Sequence, residues 1–218
     1  MSETISLQDS APVALDIARA IVAAQDRLSE LDAATGDGDH GINMAKGFRL
    51  VLERLDGRSF DLAQGFATIG DTLLSDIGGS MGPLYGSFFT EMSETLEGAG
   101  ELDRDRVLAM LRAGEAAIID LGEAKVGDKT LIDVLTPSIQ AFADAAGSDE
   151  GFAGCLARLR SAAADGLEAT RDMVARLGRA SRLGERSRGS LDAGAASCEL
   201  ILRTLADGLT QRLASQSA

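Results

Sequence analysis

The stretch Leu31–Phe48, LDAATGDGDHGINMAKGF, packs the carboxylates Asp32, Asp37 and Asp39 and the glycines Gly36, Gly38 and Gly41 into ten residues. It separates two segments with helical periodicity. Three carboxylates this close repel one another at neutral pH unless some are protonated or a cation holds them together. A site with oxygen ligands only points to a hard ion, Mg²⁺ or Ca²⁺. The glycines allow positive φ and bring backbone N–H groups near a ligand, as a phosphate-cradling loop requires. The same composition also reads as a helix-capping turn. Counting removes a calcium hand, because its glycine and glutamate positions are occupied by Ile42 and Phe48. No P-loop motif occurs anywhere in the chain.

Outward from that loop, Val13, Ile17, Ile21, Ala24, Leu28 and Leu31 form one helical stripe that begins at Pro12. On the other side, Ile42, Ala45, Phe48, Leu52 and Leu55 carry the period on to Gly57. Leu62 to Ile77 marks a third helix, ending at Gly78-Gly79, and Leu84, Phe88, Met92 and Leu96 mark a fourth. The Gly78–Gly86 segment reads either as an anion-binding helix start, with Ser80 adding a hydroxyl, or as close packing of Gly82 and Gly86 on a neighbour.

A fifth helix runs from Val107 to Leu121 and a sixth from Leu131 to Phe142. In the loop between them, Asp128 and Thr130 read as caps, and Lys129 as a solvated cation or one facing a phosphate or acidic partner. The seventh helix is predicted from Ser148 through Leu177 as the longest, and Asp192 caps an eighth that carries Cys198, Ile201, Leu205, Leu209 and Leu213. Between these two, Arg179, Arg182, Arg186 and Arg188 face only Glu185, a local surplus of three positive charges. Glycine-spaced arginines in a long loop suit phosphate or an acidic partner surface, although a solvated charge run is the usual explanation.

The 218 residues contain no Trp, one Tyr and three Pro, and no linker divides them, so one domain, 1–218, of all-α class is expected. Eight single-striped helices predict an antiparallel up-down bundle or helical barrel. In that arrangement the loops after helices 1, 3, 5 and 7 emerge at one end, and these are the loops distinguished by Asp, Gly, Lys and Arg. A net charge of −13 opposes binding to nucleic acid or anionic membrane. No apolar run reaches membrane-spanning length and no leader pattern opens the chain, so a cytoplasmic location is expected. Cys155 and Cys198 lack metal spacing and read as buried free thiols.

The chain resembles the nucleotide-binding L subunits of dihydroxyacetone kinases. The resemblance is carried in order by Asp32–Met44, Gly78–Gly86, Gly127-Asp-Lys-Thr130, Gly178–Ser181, Leu183–Arg186 and Asp192-x-Gly194, and it covers nearly the whole sequence. It implies an eight-helix barrel that binds ADP or ATP through two Mg²⁺ ions at one end, with Asp32, Asp37 and Asp39 as the metal-binding and catalytic residues. It further implies that His40, Gly41, Ile42, Asn43, Ser80, Met81, Gly122, Leu131, Arg179, Asp192, Ala193 and Gly194 line the nucleotide pocket. Leu131 stands where the family frequently has Met. The covalent substrate-binding histidine of this family lies on a separate K subunit, so His40 is not that nucleophile. Implied partners are the K subunit and a histidine-phosphorylated phosphotransferase protein; the alternative is a non-catalytic nucleotide sensor acting on a transcription regulator.

Overall fold

The computed structural model describes residues 3–148 and 150–216. Among these residues the chain is almost wholly helical: α1 (Leu7–Ser10), α2 (Pro12–Ala23), α3 (Gln25–Ala33), α4 (His40–Leu55), α5 (Leu62–Asp76), α6 (Met81–Thr95), α7 (Arg104–Gly122), α8 (Ile132–Ala146), α9 (Phe152–Ala169) and α10 (Ala193–Gln216). A two-residue strand β1 (Ile5–Ser6) pairs antiparallel with β2 (Glu101–Leu102). No described helix is long and apolar enough to cross a membrane.

Local chemistry sets several helix ends. Asp61 and Gln64 exchange side-chain bonds to each other's backbone N–H at 2.9 and 3.0 Å, a capping box that starts α5. Asp103 accepts from Arg106 N at 2.8 Å to start α7. Among the described residues there are ten helices rather than eight, in part because the stripe from Pro12 to Leu31 bends at Ala24 into α2 and α3. The bend lays α3 against the start of α4, where Gly41 packs on the Gln25 carbonyl and on Ser29.

The seventh predicted helix also ends early. It spans Phe152–Ala169, and the 24-residue α10 is the longest. Thr170 is fully buried; its hydroxyl donates to Leu167 O at 2.7 Å and accepts from Asp192 N at 3.1 Å, so it fastens the end of α9 to the start of α10. Val174 and Leu177 fit the helical period but lie beyond this fastening, in the segment leading to a run of 3₁₀ turns at Arg179–Ser187.

Around the molecule α2 packs on α4, then α4 on α5, α5 on α6, α6 on α7, α7 on α8, α8 on α9 and α9 on α10; α10 returns to α2. Inside lie Phe48, Phe66, Phe88 and Phe89; the Phe89 ring centroid is 5.2–6.3 Å from each of the other three, in edge and tilted contacts. Gly86 lets α6 approach α5, because a Cβ there would stand 2.5 Å from Leu74 Cγ. The close-packing reading therefore holds for Gly86 and for Gly82, whose Cβ would meet the Ile77 and Leu73 carbonyls, whereas Gly78, Gly79 and Ser80 line a cleft. Both thiols, Cys155 and Cys198, are buried and free.

Candidate functional site

The α3–α4 connection folds back on the last turn of α3. Thr35 N and Gly36 N both donate to Asp32 O, at 3.0 and 2.5 Å, and Gly38 takes φ +77°. A Cβ on Gly36 would stand 2.5 Å from Asp32 Oδ1, so only glycine leaves that carboxylate in place. Asp32, Asp37 and Asp39 each present one carboxylate oxygen, and these oxygens lie within 4.8 Å of one another. The capping explanation accounts for Asp32 alone, which accepts from His40 N at 3.2 Å. Asp39 occupies the N-cap position of α4 without a side-chain cap bond. Three converging hard oxygen donors fit a divalent cation such as Mg²⁺.

The arginine loop reaches across to this acidic cluster. The Arg179 guanidinium pairs with the Asp37 carboxylate and lies 3.8 Å from that of Asp39. Arg188 is tied into its own loop through Glu185 and the Asp172 carbonyl, while Arg182 and Arg186 are exposed.

A cleft of about 470 Å³ opens where these segments meet. Its walls come from Asp32 to Asn43, from Gly78 to Leu84, from the α7–α8 connection, from Leu177 to Ala180, and from the start of α10. His40, Asn43, Ser80, Met81, Gly122, Leu131, Arg179, Asp192, Ala193 and Gly194 all line it, beside the three aspartates. Gly41 and Ile42 do not. Gly41 is buried against α3, and Ile42 is 55% exposed. Ser80 sits at the N-cap of α6 with no side-chain cap bond, next to a helix start suited to anions.

His40 is 6% exposed, and its Nε2 lies 3.0 Å from Ser197 Oγ. Ser197 Oγ is in turn 2.8 Å from the Tyr85 hydroxyl, which donates to Gly194 O at 3.1 Å. This chain joins α4, α6 and α10 behind the cleft. Burial lowers the His40 pKa to about 4 against the opposing pull of Asp32, so the imidazole is neutral at pH 7. Asp192 accepts from Ala195 N at 2.8 Å as the cap of α10, and burial raises its pKa to about 6. Sequence reasoning missed Tyr85 and Ser197; the chain's only tyrosine, beside a glycine-rich helix start, was the available signal.

Lys129 differs from both sequence expectations. It lines the cleft yet is 2% exposed, and its Nζ donates to the carbonyls of Met173 (3.3 Å), Ser187 and Ser190 (2.8 Å), so its ammonium is committed to backbone rather than to solvent. Asp128 accepts from Lys125 N at 2.9 Å and closes its own loop rather than capping α8. Thr130 Oγ1 does bond to Ile132 N, at 3.2 Å.

The sequence profile described as the DAK2 domain matches residues 34–207. The chain is 36% identical over 200 residues to the ADP-binding subunit DhaL of PEP-dependent dihydroxyacetone kinase 2 of Listeria innocua, covering 89% of this chain and 91% of that protein. It is 37% identical over 180 residues to the ADP-binding subunit DhaL of PEP-dependent dihydroxyacetone kinase of Escherichia coli, covering 82% of this chain and 86% of that one. Among solved structures, the dihydroxyacetone kinase from C. freundii in complex with AMP-PNP and Mg²⁺ superposes with a TM-score of 0.69 at 29% identity. That match covers 90% of this chain, which spans 33% of the solved one.

Proposed function

This chain belongs to the DAK2 domain family, and from that premise we propose that it is the ADP/ATP-binding subunit of a dihydroxyacetone-type kinase. In this reading it passes a phosphoryl group from magnesium-bound nucleotide to a small ketose held covalently on a separate K-type subunit. The observation that carries the reading is the convergence of Asp32, Asp37 and Asp39 with Arg179 and the start of α6 on one cleft. The names of the Listeria and Escherichia relatives support it, as does the nucleotide-bound C. freundii enzyme. The ring of helices is read as an up-and-down eight-helix barrel, α2 and α3 acting as one bent member. Residues 1–218 are taken as a single nucleotide-binding domain working in the cytoplasm.

Asp32, Asp37 and Asp39 would hold two Mg²⁺ ions, which supply positive charge against the phosphate oxygens when bound. The first N–H groups of α6 and the Ser80 hydroxyl, which makes no cap bond, would donate to phosphate oxygens. Arg179 adds a cation from the opposite wall. Neutral His40 keeps a second charge out of the site and, through Ser197 and Tyr85, fixes the α10 start that forms the floor. Leu131 and Met81 supply apolar surface for a base. The reading includes a phosphotransferase-linked cycle, in which bound ADP is rephosphorylated in place by a histidine-phosphorylated protein.

Mass spectrometry of the untreated protein tests for co-purifying nucleotide. Assays with a purified K-type subunit, driven either by phosphoenolpyruvate and phosphotransferase proteins or by ATP, then distinguish the two donors. Turnover with neither overturns the proposal.

A further inference from the structure

The arginine loop is held by two consecutive residues of the α7–α8 connection. Asp128 O accepts from Arg176 N at 3.0 Å on the incoming side of the loop. Lys129 spends its ammonium donors on Met173 O, Ser187 O and Ser190 O, all in the segment between α9 and α10. It does so from φ +61°, a left-handed conformation strained for a residue with a Cβ and kept where the surroundings over-determine it. Inside the loop Ser187 is fully buried, accepts from Ala175 N at 2.9 Å and donates to Gly184 O at 2.7 Å. Arg179 lies between these pins, with its guanidinium on the acidic cluster.

We propose that Lys129 is a positioning residue: by bonding three carbonyls of the 173–190 segment it fixes the arginine loop over the cleft and so aims Arg179 at the phosphate chain. The inference deepens the functional reading above and rests on it. Lys129 lines the cleft, but with all three ammonium protons committed to carbonyls it acts on a ligand chiefly through the backbone it holds. Removing it takes the ammonium donor from Met173 O, Ser187 O and Ser190 O, leaving Ser187 O only the Ser190 hydroxyl at 3.2 Å, and frees the loop on the side away from Asp128.

The test is a double-mutant cycle of Lys129→Met and Arg179→Ala, read by calorimetric titration with ADP and Mg²⁺. Lys129→Met alone is expected to weaken ADP binding by about tenfold to a hundredfold, the equivalent of a charge-assisted hydrogen bond. In the Arg179→Ala background it should change affinity by less than about twofold, since its route to the ligand is already gone. Trypsin should cut Lys129→Met faster than wild type at Arg179, Arg182 and Arg186. Losses that multiply across the cycle, or an unchanged cleavage rate, overturn the proposal. If Lys129→Met does not fold, Ser187→Ala loosens the same loop from its own side and takes its place in the cycle, with the same outcomes deciding. Failure of the wild-type protein to bind ADP would overturn the functional reading instead.

Discussion

The Arg179 guanidinium rests on the Asp37 carboxylate, bridging two segments 142 positions apart in sequence, and no other described basic side chain is within ion-pair distance of the three aspartates. Both partners are about half exposed, so the pair itself contributes little stability. In the proposed function its consequence lies in nucleotide binding. Arg179→Ala should weaken ADP binding by about tenfold or more, as the loss of a charged phosphate contact does, with little change in melting temperature. Docking of the K-type subunit should change less. Exposed Arg182 and Arg186 should show the reverse, whereas Arg188, bonded to Glu185 and Asp172 O, serves the loop itself. Titration of both equilibria checks this, and equal losses at all three positions would refute the division.

His40 and Asp192 should give the metal-free protein opposed responses to acid. The folded His40 pKa, about 4, is below the ordinary 6.5, so the unfolded chain takes a proton that the folded chain refuses. Its contribution is intact above pH 6.5 and drains as the pH falls toward 4. Asp192 is raised from 3.8 to about 6, so the folded chain takes the proton first and gains stability as the pH falls through that window. Asp192→Asn keeps an oxygen for the Ala195 N–H cap and removes the half-buried charge. The variant should be more stable than wild type at neutral pH, on the order of 2 kcal/mol, and lose that lead as the pH approaches 4. Urea midpoints of both proteins across this range provide the measurement. A difference that does not vary with pH would disprove the assignment.

Gly41→Ala separates packing from ligand binding. A Cβ there would meet Gln25 O, with Ser29 Oγ at 2.5 Å and Ser29 N at 2.6 Å, and two of those three atoms are backbone that cannot rotate away. Overpacking of this kind costs about 1–3 kcal/mol, seen as a lower melting temperature of nucleotide-free protein. Wild-type stability with a selective loss of nucleotide would return Gly41 to the pocket. Ile42→Ser, at an exposed position outside the cleft, should leave both properties unchanged.

These outcomes mark where sequence and structure part. Apolar stripes showed the helices that line the core, and alternation of loop ends predicted that four chemically distinctive connections would meet. Periodicity did not see the end of α9, because Val174 and Leu177 keep the phase while Thr170 fastens the turn to Asp192, 22 residues on. It misread Lys129 because the carbonyls that capture it lie 44 to 61 residues away. The run His40 to Asn43 splits for a geometric reason. Neighbours on a helix are turned about 100° from each other, so His40 and Asn43, three apart, share the cleft face, while Gly41 meets α3 and Ile42 meets solvent. Which acidic side chain Arg179 would meet was not readable from local pattern at all.

Asp37→Asn, a nearly isosteric change, tests the acidic loop itself. If the loop were only a turn, asparagine would replace aspartate with a change of a few tenths of a kcal/mol, about the difference between two good turn and cap residues. Bound nucleotide would be unaffected. Asp37 makes no bond to the backbone of α4, and its carboxylate meets Arg179 and the converging oxygens of Asp32 and Asp39. An amide oxygen is a weaker donor to a hard cation, and a lost ion leaves phosphate facing the remaining carboxylates uncompensated. The variant should therefore keep the wild-type circular dichroism spectrum and melt within about 1 kcal/mol of wild type, since an exposed ion pair is all the fold loses. It should retain little nucleotide after purification and support no phosphoryl transfer with the K-type subunit. Full nucleotide occupancy and a wild-type rate in Asp37→Asn would show that the acidic stretch is a turn and that the metal lies elsewhere.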